Sequence, residues 1–362
     1  MLRDEGCVNP PHPAPDQVRQ MKSVVLHAPR DLRLEESAPP PPGPGEVAVR
    51  LAAGGICGSD LHYYAHGGFG TVRLREPMIL GHEVAGHVAA LGDGVTGLSV
   101  GQLVAVSPSR PCRACRYCHE GRPNQCLNMR FYGSAMPFPH IQGAFRQVLV
   151  ADARQCADAE GLSPAQAALA EPLAVCLHAA GQAGPLLGRR VLVTGCGPIG
   201  LLCVLVARAA GAAEIVATDL TAFTLALAAD RGADRTLNMA EAPQALGPYA
   251  ADKGYFDVQF ECTGAAPALA AGIAALRPGG TVVQVGLGGD MTVPVQSLTA
   301  KELSLRGAFR FHDEFFVGVD MMRSGRIDPA PLVTQTVPLA RAAEGFDLAG
   351  DRSQAMKVQI EF

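Results

Sequence analysis

Beyond Gly188 the chain alternates between short apolar runs and amphipathic stretches of helical length, and the turn joining the first such pair reads "VTGCGPIG". "RRVLVTG" predicts a strand, "PIGLLCVLVARAAG" a helix, "EIVATD" a second strand and "AFTLALAADRG" a second helix. The alternation continues through "FDVQFECTG", "ALAAGIAALRPGG" and "TVVQVGLGG". Such alternation builds βαβ units, whose parallel sheet is covered on both faces. Gly195, Gly197 and Gly200 form G-x-G-x-x-G where the first strand meets its helix, with Pro198 and Ile199 opening that helix. In that context the glycines serve a tight turn, close approach of main chain to a pyrophosphate, and close helix–strand packing. Asp219, nineteen residues past Gly200, ends the second strand. A carboxylate there accepts hydrogen bonds from the adenosine ribose and repels a 2′-phosphate, which favours NAD over NADP.

A chain of 362 residues exceeds the size of most single cores, so two domains are expected. An apolar content of 48% with 18% charged residues excludes disorder for the bulk of it. The net charge of −4, with dispersed Lys and Arg, lacks the footprint of a nucleic-acid binder. No stretch of roughly 20 uninterrupted apolar residues offers a membrane span, and the N-terminus lacks the apolar core of a signal peptide, so a cytoplasmic location is expected. Residues 1–20 are Pro-rich and read as a disordered extension, and Met21 opens the first convincing strand. From Lys22 to about Ala153 short strand-like runs between Gly- and Pro-rich turns predict a loop-rich β lobe. Near Ser163 the text turns helical, and the tail after Phe311 holds a helix and a last strand, "AMKVQIEF", that could rejoin the β lobe.

The β lobe contains "PCRACRYCHEGRPNQC". Four of the eleven cysteines, Cys112, Cys115, Cys118 and Cys126, fall in this one stretch. Soft ligands at short loop spacings fit a closed four-thiolate zinc site bracing a lobe with little helix of its own. A zinc module that binds nucleic acid would carry the same letters, and charge argues against it. A second set is dispersed: Cys57 in "GGICGSDLHYY", His82 and Glu83 in "LGHEVAGHV", and Glu171 in the apolar "LAEPLAV". An unpaired charge at Glu171 would be costly to bury, although helix-start stabilisation before Pro172 accounts for it equally.

Taken together, "GGICGSD", "GHEVAGHV", the four-cysteine stretch, "EPLAV" and "GCGPIG" resemble the zinc-containing medium-chain dehydrogenases over essentially all of residues 21–362. "CGSDLHYY" and the 25-residue step from Cys57 to His82 are similar to the polyol dehydrogenase branch, which includes sorbitol and xylitol dehydrogenases. "NQCLNMRFYGSAMPFPH", "EPLAVCLHAAGQAG" and "LSLRGAFRF" resemble the L-idonate 5-dehydrogenases within that branch more than the sorbitol dehydrogenases. The resemblance implies an α/β fold: a GroES-like β-rich catalytic domain from 21–171 and 311–362, and a doubly wound Rossmann domain from 172–310 that binds NAD or NADP. It implies oxidation of a secondary alcohol of a sugar acid, L-idonate to 5-keto-D-gluconate, in a homotetramer or dimer. Two zincs per chain follow: Cys57, His82 and Glu83 hold the catalytic one, with Glu171 a direct ligand or reaching it through water, and the four cysteines hold the structural one. The alternatives are a polyol dehydrogenase of the sorbitol or xylitol type and a non-catalytic relative that keeps the fold.

The resemblance further places Tyr63, Glu171, Arg310 and Phe311 near the substrate. Ile199, Asp219, Val285, Gly286, Leu287, Ala308, Phe309 and Arg310 are placed along the cofactor. Asp60 is expected to orient the metal site, and Ser59 with His62 to relay the proton through a cofactor ribose hydroxyl. Thr224 departs from the arginine that sorbitol dehydrogenases often carry beside the ribose, which loosens the expected preference for NAD. A sugar acid adds a carboxylate remote from the reacting carbon, and a planar guanidinium suits its bidentate capture. Arg130 in "NMRFYG" is the expected partner, with Arg73 as second choice.

Overall fold

A computed structural model describes residues 20–362, so the expectation of a disordered extension falls, apart from Gln20, outside the described residues. The predicted alternation after Gly188 forms a six-stranded parallel sheet. In spatial order its strands are Arg235–Asn238, Glu214–Asp219, Arg190–Thr194, Phe256–Glu261, Leu276–Gln284 and Ser304–Gly307. Numbered along the chain, that order is 3-2-1-4-5-6, the doubly wound arrangement whose order reverses between its first and fourth strands. A crevice therefore opens beyond the carboxyl ends of Arg190–Thr194 and Phe256–Glu261, where the glycine turn lies.

The N-terminal lobe is built on a seven-stranded sheet. Its centre is strand Glu46–Gly55, flanked by antiparallel Glu83–Leu91 and by antiparallel Lys357–Glu361. The last strand thus returns to the first lobe, with Gly55 opposite both Glu83 and Gln359. That register brings three remote stretches to one end of the sheet. Alternation along Glu46–Gly55 sends Val47, Val49 and Leu51 into an apolar cluster with Val84, Val88 and Leu149.

The helical text after Ser163 divides in two. Ser163 caps helix Pro164–Ala167, its hydroxyl accepting the Gln166 N–H at 3.2 Å, and helix Ala170–Ala183 follows. This second helix runs through the expected 171/172 boundary. Its Leu173, Ala174, Cys176 and Ala179 share one apolar cluster with Ala53 and Ala85 of the β lobe and with Val191 and Val193 of the parallel sheet. Burial on both sides fixes its N-terminus, and Glu171 with it, between the two sheets. Among the described residues no helix is long and apolar enough to cross a membrane.

Candidate active site

Strand Glu46–Gly55 leads into Cys57, which caps helix Gly58–His66 in an extended conformation (φ −93°, ψ 160°). Asp60, in the first turn of that helix and completely buried, accepts the Cys57 N–H on one oxygen and the Gly81 N–H on the other, both at 3.1 Å. One carboxylate therefore fastens the two loops that carry the dispersed set. Gly81 turns with φ +90°, where a Cβ would meet the Phe145 ring at 2.2 Å, and His82 and Glu83 follow directly. The ligand atoms of Cys57, His82 and Glu83 all lie within 4.8 Å of one another.

This cluster is short of positive charge. His82 Nδ1 and Glu83 Oε2 are buried without an aligned hydrogen-bond partner, the former 3.7 Å from Asp60 Oδ1. Burial opposes an imidazolium at His82, yet the carboxylate of Asp60, with the Cys57 thiol and Glu171, raises its pKa well above the ordinary value. Burial also pushes the Glu171 carboxyl up to about 7. A divalent cation meets these demands, and one sulfur, one nitrogen and one oxygen form a three-ligand set of the kind that leaves zinc an open position. Glu171, on the first turn of helix Ala170–Ala183, is not among the three converging atoms, although its charge acts on His82 and on Arg310. The one ammonium in contact with the cluster belongs to Lys357, which donates to Glu83 Oε1 at 2.6 Å and to the Ile56 carbonyl at 3.1 Å. Lys357 carries no motif; the only signal for it in the sequence is a cation inside an otherwise apolar final strand.

The four clustered cysteines also converge within 4.8 Å, with Cys115 Sγ 3.6 Å from Cys118 Sγ and 3.9 Å from Cys126 Sγ. A tetrahedron with metal–sulfur bonds of about 2.3 Å has edges of about 3.8 Å, so zinc fits without rearrangement. The N–H groups of Cys112 and Asn128 donate to Cys126 Sγ, and that of Leu127 to Cys115 Sγ, as expected around thiolates. A backbone hydrogen bond from Ala114 pulls the Cys112 thiol down to about 6, while burial pushes Cys118 up to about 12. No disulfide joins the described cysteines.

At the crevice, Gly195 turns with φ +86°, and a Cβ on Gly200 would meet the Gly195 carbonyl at 1.8 Å, so turn and packing both require glycine. Space beside Gly197, the cap of helix Pro198–Ala209, is open. Asp219 Oδ2 accepts the Cys196 N–H at 2.6 Å, tying the end of the second strand to the glycine turn, and Oδ1 accepts from Leu220 and Thr221. Thr224 is buried, its hydroxyl donating to the Thr221 carbonyl. Val285 and Gly286 are half-buried and Leu287 exposed, just past strand Leu276–Gln284 at the same end of the sheet. Ala308, Phe309 and Arg310 follow strand Ser304–Gly307, and the Phe309 carbonyl accepts Asn124 Nδ2 from the four-cysteine lobe at 3.0 Å.

Substrate-side residues separate into two groups. Arg310 lies with its guanidinium 4.3 Å from the Phe131 ring centroid, and the Phe131 ring lies 5.5 Å from that of His82. Burial lowers Arg310 to about 10, and it remains a cation at neutral pH beside Glu171 and Tyr63. Tyr63 is buried, its hydroxyl accepting the Ala135 N–H at 3.0 Å. On helix Gly58–His66, Ser59 is half-buried and His62 exposed, with its ring 6.1 Å from Phe69. Two expectations need correction. Arg130 precedes Phe131 in a strand paired with Ser109–Arg110; alternation turns Phe131 toward His82 and leaves Arg130 exposed on the other face. Phe311 is completely buried, stacked on Phe315 in the core, and offers no surface to a ligand. Arg73, the second choice, is exposed and donates to the Gly70 and Val72 carbonyls of its own turn.

Comparison with known proteins agrees with this geometry. Residues 43–161 match the alcohol dehydrogenase GroES-like domain, and residues 198–324 match the zinc-binding dehydrogenase domain. The L-idonate 5-dehydrogenase (NAD(P)(+)) of Escherichia coli is 45% identical over 322 residues, 87% of this chain and 91% of the relative. The sorbitol dehydrogenase of Gallus gallus is 39% identical over 347 residues, covering 94% of this chain and 96% of the relative. The crystal structure of Escherichia coli L-idonate 5-dehydrogenase superposes with a TM-score of 0.91 at 41% identity, over 95% of this chain and 98% of that one. With its GroES-like lobe, its doubly wound sheet and a ligand set suited to zinc, the chain belongs to the zinc-containing medium-chain dehydrogenase family, whose members pair zinc with NAD(P).

Proposed function

We propose that the protein oxidises L-idonate at C5 to 5-keto-D-gluconate, passing the hydride to NAD(P). The observation that carries this reading is a half-buried arginine, Arg310, whose guanidinium lies against the Phe131 ring that packs beside His82, supported by the 45% identity to a relative of that name. When bound, zinc supplies Lewis-acid polarisation of the C5 hydroxyl, and the nicotinamide supplies the hydride acceptor. Cys57, His82 and Glu83 hold the metal, with Glu171 close enough to join through water. Asp60 fixes the Cys57 and His82 loops through its two backbone hydrogen bonds. Arg310 takes the substrate carboxylate, the role expected of Arg130. Tyr63, whose oxygen already accepts the Ala135 N–H, donates its own proton to a substrate hydroxyl. Ser59 receives the proton lost from C5–OH, and His62, exposed on the same helix, delivers it to water. Gly195, Gly197, Pro198, Ile199, Gly200, Asp219, the run 285–287 and residues 308–310 line the dinucleotide. Asp219 favours NAD, and buried Thr224 leaves no arginine there for a 2′-phosphate.

The finer features belong to the same proposal. The chain carries two zincs, the second in the four-cysteine site. It divides into a catalytic unit of 21–171 with 311–362 and a cofactor unit of 172–310. It works as a homotetramer or dimer, a reading supported by the uncovered edge strand Ser304–Gly307 of the parallel sheet. Ten free described cysteines favour the reducing cytoplasm. A second reading, a sorbitol- or xylitol-type polyol dehydrogenase, is favoured by the fuller coverage of the avian relative. Initial NADH formation from L-idonate, D-gluconate, sorbitol, xylitol and L-threonine, repeated with NADP, decides between them. L-Idonate should give the highest kcat/KM; a higher value for sorbitol or xylitol replaces the proposal with the second reading.

A further inference from the structure

The sheet register that places Gly55 opposite Glu83 on one side and opposite Gln359 on the other puts Lys357 level with Cys57, two residues beyond each pair. Its side chain then runs into the metal cluster rather than toward solvent, and both Lys357 and Glu83 are almost wholly buried, at 3% and 1% side-chain exposure. The path between them exists because residue 55 is glycine: a Cβ there would meet Glu83 Oε2 at 2.1 Å and Lys357 Cε at 3.0 Å. The ammonium donates to the Ile56 carbonyl, one residue before Cys57, and to Glu83 Oε1. It lies against Oε2 at least as closely, although without an aligned hydrogen bond. The ammonium therefore lies across both oxygens of Glu83, on the edge that a metal would need in order to bind the two at once.

We propose that Lys357 is the positioning residue of the metal site: it occupies the two-oxygen edge of Glu83, so that the carboxylate can reach a metal through one oxygen only, while pinning the Cys57 segment through the Ile56 carbonyl. A carboxylate can bind a metal through one oxygen or two, and zinc that is to accept substrate needs a position left empty. With that edge engaged by Lys357, Glu83 cannot close on the metal with both oxygens. Gly55 is part of the device, because any side chain there would part the two charges. Nothing here requires Lys357 to touch substrate or cofactor, and it acts only through Glu83 and the Ile56 carbonyl.

This inference rests on the reading that Cys57, His82 and Glu83 hold zinc. The test exchanges that zinc for Co(II), whose visible absorption is several-fold stronger in tetrahedral than in five-coordinate sites, in the full-length wild type and in Lys357→Met, Lys357→Arg, Glu83→Gln and Glu83→Gln/Lys357→Met. Metal per chain, the cobalt spectrum and the KM values for L-idonate and NAD are read together. In Lys357→Met the cobalt band should fall at least two-fold and shift, and the KM for L-idonate should rise while that for NAD stays. Lys357→Arg, which keeps a donor cation, should restore both. A wild-type spectrum and an unchanged substrate KM in Lys357→Met overturn the proposal, as does equal failure of the Met and Arg variants. The double variant leaves no lone charge buried, and its spectrum should match that of Glu83→Gln alone if Lys357 acts through Glu83. A wild type that binds one metal per chain, with Cys57→Ser losing none, instead refutes the zinc reading itself.

Discussion

The two metal-ligand sets of this chain are assembled in opposite ways. Cys112, Cys115, Cys118 and Cys126 come from one stretch of fifteen residues, offer four like sulfurs, and are partnered by backbone N–H groups of the same loop. Cys57, His82 and Glu83 come from a helix cap, a glycine turn and the start of a strand, offer three different atoms, and are surrounded by Asp60, Glu171 and Lys357. The first set would complete a metal's coordination by itself, with its hydrogen-bond partners drawn from its own loop. The second is held by side chains from remote elements, and that dependence allows its charge and open position to be adjusted for chemistry.

The strongest way to break the comparison is to remove one ligand from each set. Cys57→Ser should cut kcat by roughly 10³-fold or more while the four-cysteine zinc stays bound, because several kcal/mol of Lewis-acid stabilisation is lost. Steady-state NADH formation with elemental analysis checks it. Cys115→Ser should lower Tm by about 5–10 °C, the scale for losing a few kcal/mol of structural metal in a chain this size, and affect kcat less than Cys57→Ser does. Calorimetry of both variants tests whether the sites divide chemistry and stability as their construction implies.

Two further substitutions sharpen the substrate side. Arg310→Ala should raise KM for L-idonate about 10–100-fold, the value of a charge-assisted hydrogen bond, and raise it much less for sorbitol. Arg130→Ala should leave both unchanged. The smallest effect concerns the end of strand Val148–Asp152, beside Arg110. Asp152 accepts hydrogen bonds from Arg154 and lies near Arg110, and the Arg154 hydrogen bond holds its carboxyl down at about 2. A carboxyl whose pKa falls on folding adds stability above its unfolded value of about 3.9, and loses it as pH drops through the folded value. Asp152→Asn should therefore cost on the order of 1–2 kcal/mol at pH 7 and flatten the acid limb between about pH 4 and 2, read by urea melts across pH.

Both the glycine turn and the four-cysteine set were legible because their ligands or contacts are local: a few consecutive residues carry the whole geometry. Cys57 and His82 were legible only through resemblance, since spacing alone does not bring a helix cap to a glycine turn. Arg130 was misjudged because a residue's face in a two-residue strand is known only once its partner strand is known, and Phe131 takes the inward face. Phe311 was misplaced for a similar reason, since its stacking on Phe315 depends on how helix Glu314–Arg323 packs back onto the core. Lys357 was invisible because its partner, Glu83, lies 274 residues away in sequence and next door only through the sheet register.

The contact from Asn124 Nδ2 to the Phe309 carbonyl gives the four-cysteine loop a second meaning. Asn124 lies between Cys118 and Cys126, so a metal held by that loop would also set its position, while Phe309 belongs to the segment proposed to line the dinucleotide. On the proposal made above, loss of the four-cysteine metal would reach the coenzyme as well as the fold. Asn124→Ala, lacking one neutral hydrogen bond of about 1 kcal/mol, should reproduce the coenzyme effect alone, with a several-fold higher KM for NAD and an unaltered Tm.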